Sequence, residues 1–352
     1  MNSINFAPVL TIAIPTFNRA EFLRTCLMQL LSEMRSVAEN MVEILVCDNC
    51  SPDDTPKVLE DARSFGLTVN YVRNSANIGS DANIAQCFNR AQGQYVLILG
   101  DDDVFVDGAL KRILDRLKDH EYGMIFLRSY GFDGDFKREL PKSYGVDASV
   151  YRDAGVFLAR VAHLVTLISG CVINKSLLRG VDANAFCGGN LVQVHLCLLA
   201  ATRAKRNLFV HRYEIGIKRN NSGGYDHSRV FVTNFLQILD SYVGHGLAAR
   251  DVQKVEKRLL LSYFPYYLYK LRYERGDVAE AQKNFSQRFG GRLLYQVWTR
   301  PVLYAPRALA LLWAACTTVM GRVIGGDLWR GVHFVIYRLF SRSPGTHAST
   351  SI

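Results

Sequence analysis

The stretch Tyr95-Val96-Leu97-Ile98-Leu99-Gly100-Asp101-Asp102-Asp103-Val104-Phe105 decides how this chain is read. Five apolar residues suited to a strand buried on both faces run directly into three consecutive carboxylates. Acids crowded at a strand end repel one another unless positive charge sits among them. Such an oxygen-rich loop suits Mg²⁺ or Mn²⁺, with other coordination positions left for phosphates. Taken by itself, the triplet also reads as a solvated acidic turn.

The residues upstream repeat the pattern of strand, polar turn and helix. Val9 to Ile14 is an apolar, β-branched run stopped by Pro15, and Phe22, Leu23, Cys26, Leu27, Leu30 and Leu31 follow at helical spacing. Val42 to Val46 is a second strand, and Ser51-Pro52-Asp53-Asp54-Thr55 supplies capping side chains for a second helix. Val69 to Val72, a helix from Ala82 to Ala91 and the strand at Tyr95 complete the series. Alternation of this kind predicts an α/β fold with a mainly parallel sheet and right-handed crossovers. Ligands of such sheets bind beyond the carboxyl ends of the strands. The polar groups expected there are Pro15-Thr16-Phe17-Asn18-Arg19, Asp48-Asn49, Asn74 to Gly79, and the acidic triplet.

With 352 residues the chain is long enough for two domains, or for one with a large appendage. Met1 to Phe6 shows none of the marks of a signal peptide, which predicts a cytoplasmic protein. Eight cysteines at irregular spacings read as reduced thiols, and Cys47-Asp48-Asn49-Cys50 reads as two small residues flanking an important Asp. Residues 1–150 carry 15 Lys/Arg against 21 Asp/Glu, whereas residues 151–352 carry 27 against 11. The basic second half is the expected partner surface, and no nucleic-acid-binding module occurs in it.

Ile14-Pro15-Thr16-Phe17-Asn18-Arg19, Val46-Cys47-Asp48-Asn49-Cys50-Ser51, Asn77-Ile78-Gly79 and Gly93-Gln94-Tyr95 leading into Gly100-Asp101-Asp102-Asp103 together resemble the ordered signature of family-2 glycosyltransferases with a GT-A fold. The resemblance covers residues 9–125, and Asn77-Ile78-Gly79-Ser80-Asp81-Ala82-Asn83 is similar to the branch that includes abequosyltransferases of O-antigen assembly. It implies inverting transfer of a sugar from a nucleotide diphosphate-sugar to a polyprenyl-linked oligosaccharide, with Mn²⁺ or Mg²⁺. On this resemblance Pro15, Thr16, Asn18, Arg19, Asp48, Asn49, Asn77 and Gly79 line the nucleotide-sugar pocket, with Asp48 accepting from the base. Asp102 and Asp103 hold the metal, and Asp101 is a ribose or metal-shell contact. The commoner Leu-Asp-x-Asp-Asp pattern is altered here, since Gly100 stands where the first Asp is usual. A second register takes Asp101 to Asp103 as an Asp-x-Asp motif.

Leu167-Ile168-Ser169-Gly170 resembles the family segment that returns the chain to the acceptor side. The carboxylate base expected about twenty residues later is missing from Phe186 to His195. Asp182 and His195 are the candidate bases, and Asn190 and Gln193 candidate acceptor contacts. Gln193 and His195, two positions apart, cannot share a helix face. Lys218 and Arg219, in a polar stretch running to Tyr225, are candidate diphosphate contacts.

The expected organisation is a catalytic domain over 1–225 and a helical, basic region over 226–352. That region carries Trp313, Trp329 and Tyr337 and suits peripheral attachment to the inner membrane surface or homo-oligomer contact. A catalytically silent homologue and a sugar nucleotidyltransferase are the competing functions. The second would want a glycine-rich, basic loop after the first strand, where this chain has Pro15-Thr16-Phe17-Asn18.

Overall fold

The computed structural model describes residues 7–118, 121–143, 145–219, 228–274, 276 and 278–324. Strand β1 (Leu10–Thr16), helix α1 (Ala20–Met34), β2 (Val42–Asp48), α2 (Thr55–Ser64), β3 (Asn70–Arg73), α3 (Ser80–Arg90) and β4 (Tyr95–Ile98) realise the expected alternation. There follow β5 (Val104–Phe105), α4 (Ala109–Lys118), β6 (Met124–Phe132), β7 (Ala148–Tyr151), α5 (Ala154–Val161), β8 (Cys171–Asn174), α6 (Val192–Arg203) and β9 (Asn207–Lys218). The remaining helices are α7 (Phe235–Ser241), α8 (Ala249–Arg258), α9 (Phe264–Tyr273), α10 (Val278–Phe289), α11 (Arg300–Tyr304) and α12 (Arg307–Ile324).

The nine strands form one sheet in the order β3-β2-β1-β4-β8-β6-β9-β5, with β7 also paired to β9. Strands β1, β2, β3 and β4 are mutually parallel, and β6 and β9 run the same way, while β5, β7 and β8 run against them. The α/β, mainly parallel architecture is therefore the one the sequence pattern predicts. One side of the sheet is sealed by Leu23, Cys26, Leu27 and Leu30 of α1 and by Leu110, Ile113, Leu114 and Leu117 of α4, all buried against Ile12, Ile14, Val46 and Leu97.

Strand β1 continues through Pro15 rather than stopping there, and its last pairs are Pro15 with Cys47 and Thr16 with Asp48. Its pairing with β4 ends at Ala13. Backbone groups alternate sides along a strand, and Thr16 faces β2, its carbonyl accepting from Asn49 N at 2.9 Å. The missing N–H of Pro15 therefore falls on the β4 side, where no ladder remains to be broken. Between α1 and α2, the capping role falls to Asp53: its Oδ1 accepts from Thr55 N at 3.1 Å, and its Oδ2 from Ala20 N, at the start of α1, at 2.8 Å. One carboxylate thus fixes the starts of two helices.

The chain divides into two compact units, Met1–Val255 and Glu256–Ile352. The expected boundary at 225/226 lies outside the described residues. In the second unit Phe264, Phe285, Phe289 and Tyr295 form an aromatic core, with the Phe264 and Phe285 rings edge-on at 4.8 Å. Glu256 is buried there and paired with Arg288 and Arg292. Helix α12 packs through small residues: Ala310 and Ala314 are buried, and a Cβ on Gly321 would come within 1.9 Å of the Leu261 carbonyl. Its large side chains face outward, including Leu309, Leu312, Trp313, Val319, Met320 and Val323. No described helix is long and apolar enough to cross a membrane.

Candidate functional site

Thr16, Arg19 and the acidic triplet meet at the carboxyl ends of β1 and β4. Thr16 Oγ1 donates to Asp101 Oδ2 at 2.8 Å, and Arg19 Nη1 reaches Asp101 Oδ1 at 3.1 Å and Asp102 Oδ2 at 3.5 Å. Asp103 accepts from the Ser169 hydroxyl and from Lys218 N, while the same Ser169 oxygen accepts from Gly100 N at 2.9 Å. Burial pushes the Asp101 carboxyl up to about 6 against the opposing pull of Thr16 and Arg19. Burial, and then the charge of Asp102, push Asp103 up as well. Negative charge in this loop is under-compensated by the protein alone.

Gly100 sits close under the carboxylates that follow it. A Cβ there would stand 3.0 Å from Asp103 Oδ2 and 3.1 Å from Asp102 Oδ1, so two carboxylates fold back over one point. No group of three His, Cys, Asp or Glu side chains converges as a metal site among the described residues. Mg²⁺-type ions need only one or two carboxylates when phosphates complete the shell. The hard, all-oxygen donor set, with its surplus negative charge, fits such an ion.

A second cluster lies along the ends of β2 and β3. Asp48 is fully buried, its Oδ1 accepting from Ser51 N at 2.8 Å and its Oδ2 from the Tyr71 hydroxyl at 2.7 Å, with Arg73 Nε at 3.5 Å. Tyr71 and Arg73 were not singled out in the sequence, because the period of a strand does not reveal which residues of β3 lean on β2. Asn49 acts as a clamp: its Nδ2 donates to Asn77 Oδ1 at 2.8 Å, and its Oδ1 accepts from Ile78 N at 2.9 Å and Asn74 Nδ2 at 3.1 Å. Gly79 follows with φ +86, a left-handed backbone that favours glycine at the entrance to α3. Asn18 is also left-handed, φ 56, and its N–H donates to Ser51 Oγ at 2.9 Å, tying the two clusters together.

Lys218 reaches the triplet through its backbone only. Its Nζ donates to the Asp133 carbonyl, and Arg219 pairs with Asp133 at 2.7 Å and Glu139 at 3.5 Å. The rest of the polar stretch, Asn220 to Tyr225, lies outside the described residues.

A cavity of about 760 Å³ opens beside the loop preceding α6. Its walls include Phe186, Cys187 to Asn190, His195, Asn234 and Gln237. His195 stacks on Phe186, ring centroids 4.5 Å apart, and burial holds its imidazole below the ordinary value. Gln193 faces the other way, buried, with its Nε2 donating to the Thr166 carbonyl at 2.7 Å. Asp182 is exposed and caps a short turn, accepting from Asn184 N at 3.0 Å and Asn89 Nδ2 at 2.7 Å. Neither Gln193 nor Asp182 is part of the cavity wall. All eight cysteines are free thiols.

A mainly parallel sheet whose carboxyl edge gathers an acidic loop, an amide clamp and a buried Asp is the GT-A architecture. Residues 11–177 match the family model described as Glycosyl transferase family 2, and the chain carries a domain of that family. The abequosyltransferase RfbV of Salmonella typhimurium is 31% identical over 103 residues, 29% of this chain and 30% of that protein. The GalNAc(5)-diNAcBac-PP-undecaprenol beta-1,3-glucosyltransferase of Campylobacter jejuni is 27% identical over 128 residues, 35% of this chain and 40% of that protein. The match thus spans well under half of either curated relative. In fold, the crystal structure of Staphylococcus aureus TarS 1-349 in complex with UDP-GlcNAc superposes with a TM-score of 0.62 at 15% identity, covering 90% of this chain and 92% of that one.

Proposed function

We propose that this protein is an inverting, metal-dependent glycosyltransferase. In this reading it moves a sugar from a nucleotide diphosphate-sugar to a lipid-linked oligosaccharide in surface polysaccharide synthesis. The observation that carries the reading is the convergence of Thr16, Arg19, Asp101, Asp102 and Asp103 beside the Asn49 clamp at one sheet edge. The UDP-GlcNAc bound by TarS and the undecaprenol-linked substrate in the name of the Campylobacter relative support the donor and acceptor classes.

In the reaction the acceptor hydroxyl oxygen bonds to the anomeric carbon, the bond to the diphosphate breaks, and the hydroxyl proton passes to a base. Asp48, with Tyr71 and Arg73 fixing its orientation, is the group that reads the nucleotide base. Asn49, Asn77 and Gly79 line the nucleotide, Pro15 and Asn18 shape the turn beneath it, and Arg19 offsets diphosphate charge. Asp102 and Asp103 would hold Mn²⁺ or Mg²⁺. When bound, the ion supplies Lewis-acid neutralisation of the leaving diphosphate. The cavity beside His195 takes the acceptor, with Asn190 in its wall.

The outward apolar stripe of α12 and the surplus of basic residues suit adsorption to an anionic lipid surface, where such an acceptor would be found. Trp329 and Tyr337 lie outside the described residues.

The test is calorimetric binding of uridine, guanosine, cytidine and thymidine diphosphates with and without Mn²⁺, on wild type and Asp102→Asn. One nucleotide should bind with Mn²⁺ and be lost in the variant, with the melting temperature unchanged. Full binding by Asp102→Asn would sink the metal assignment. Silence toward all four would favour the inactive homologue.

A further inference from the structure

The loop bounding the cavity is held by a carboxylate that belongs to the nucleotide side of the sheet. Asp81, in the first turn of α3, accepts from Gly188 N at 2.8 Å and from Asn190 N at 2.9 Å, both on Oδ2. Both donors sit in left-handed backbone, φ 111 for Gly188 and 57 for Asn190. For Asn190 that conformation is one that asparagine adopts more readily than other non-glycine residues, and the bond from its N–H to Asp81 helps to fix it. Asn234 Nδ2 also holds the loop, donating to the Gly189 carbonyl at 3.0 Å, whereas Asp81 reaches it from 107 residues before Gly188.

The segment that carries Asp81 is itself bolted to the end of β2. Asn49 holds Asn77 and Ile78, and Asn83 Nδ2 donates to the Cys47 carbonyl at 2.9 Å. A continuous line of hydrogen bonds therefore runs from the Asp48-Asn49 edge, through Asn77 to Asn83, to the cavity wall at Gly188 and Asn190. The second oxygen of Asp81 is buried and has no hydrogen-bond partner. A staple needed only for loop shape gains nothing from a buried oxygen left without a hydrogen bond, because such an atom is costly.

We propose that Asp81 is a positioning residue that sets the cavity loop Cys187 to Asn190 in register with the nucleotide-binding segment, so that one framework aligns donor and acceptor. The proposal rests on reading the cavity as the acceptor site. Fixing two reactants in one frame is worth large factors in rate, and a displacement of about 1 Å can cost on the order of a hundredfold.

Hydrogen–deuterium exchange on the full-length protein tests it, with Asp81→Ala and Asp81→Asn, and with UDP or GDP plus Mn²⁺ as probes. Asp81→Ala should speed exchange across 187–190 by about tenfold or more, as loss of charge-assisted bonds requires. Exchange in Val42–Asp48 should be unchanged and nucleotide affinity should stay within about twofold, far from the tenfold that 1.4 kcal/mol would give. A bound nucleotide should slow exchange at 187–190 in wild type and fail to do so in Asp81→Ala. Asp81→Asn, which keeps an accepting oxygen, should recover part of that response.

Equal exchange at 187–190 in wild type and Asp81→Ala overturns the proposal, as does an equal nucleotide response in both. If neither nucleotide binds wild type, the donor reading is what suffers. The loop exchange of Asp81→Ala against wild type then still decides the role of Asp81.

Discussion

Ser169→Ala removes one hydroxyl from the hub of the acidic loop, and its cost can be worked from two bonds. Ser169 is fully buried, donates to Asp103 and accepts from Gly100 N at 2.9 Å. Stranding the buried Gly100 N–H costs about 1–3 kcal/mol, and a hydrogen bond to a charged group is worth roughly 1.5–3 kcal/mol. The two share one atom and are not fully additive, so a loss of about 3 kcal/mol is expected. For a unit the size of Met1–Val255, at roughly 2–4 °C per kcal/mol, the melting temperature should fall by roughly 6–12 °C. Scanning calorimetry on the full chain measures this directly. Mn²⁺-dependent nucleotide binding, titrated on the same sample below the transition, should weaken too, because Asp103 loses the group that orients it. A fall of less than about 2 °C, on a scale where about 1 kcal/mol moves it by 2–4 °C, would refute the hub.

Arg112→Met should destabilise by about 3–5 kcal/mol, because Glu214 is buried and receives Arg112 Nη2 at 2.6 Å, with Arg116 more distant at 3.6 Å. Urea denaturation measures it, and a loss below about 1 kcal/mol would mean that Arg116 alone suffices. Gly123→Ala should give insoluble or strongly destabilised protein, since the added Cβ would stand 2.2 Å from the Ala200 carbonyl of α6. Soluble protein with an unchanged melting temperature would contradict that packing. Leu312→Glu should leave the melting temperature unchanged, as Leu312 is 65% exposed, yet weaken flotation with phosphatidylglycerol vesicles by about tenfold or more. Unaltered flotation would remove α12 from the membrane reading.

The strands and the four polar groups at their ends were legible because each is local. Apolar runs of strand length alternate with helical spacing from Val9 to Leu99, and the turn residues are contiguous in sequence. What escaped are pairings that close over long loops. Ser169 meets Asp103 across 66 residues, and Asp81 meets Asn190 across 109, and no periodicity carries such partners. Glu214 and Arg112, 102 residues apart, are another case. The expectation of a strand ending at Pro15 failed for a different reason. A proline is costly only where its missing donor faces a partner, and sheet order, which fixes that, is not in the local sequence. In α12 the spacing of large and small residues shows two faces, but packing through Ala310, Ala314 and Gly321 reverses the usual choice of which is buried.

Positions 193 and 195 carry this further, into the question of the missing base. Helix geometry places the two on different faces, as the sequence reading held, and the fold turns Gln193 inward to Thr166 and His195 toward the cavity. The Tyr242 hydroxyl donates to the His195 carbonyl at 3.4 Å and lies 3.3 Å from Nδ1. In the tautomer that donates Nδ1–H to that hydroxyl oxygen, the lone pair is on Nε2. Burial lowers the imidazole from its ordinary 6.5, so the neutral, proton-accepting form persists below that pH. Transfer that uses His195 should therefore hold a plateau through neutrality and decline only as pH falls below 6.5. A carboxylate base such as Asp182, held below the ordinary carboxylate range by the bonds from Asn184 and Asn89, would extend the plateau far into the acid range.

Stability carries the matching sign. With the folded value depressed, the unfolded chain takes up the proton first, so the contribution of His195 is present above 6.5 and lost as pH falls through the folded value. His195→Asn should flatten the fall in melting temperature between pH 7 and 5 and remove the rate limb. A variant that keeps the wild-type pH profile of kcat/KM would return His195 to a packing role against Phe186.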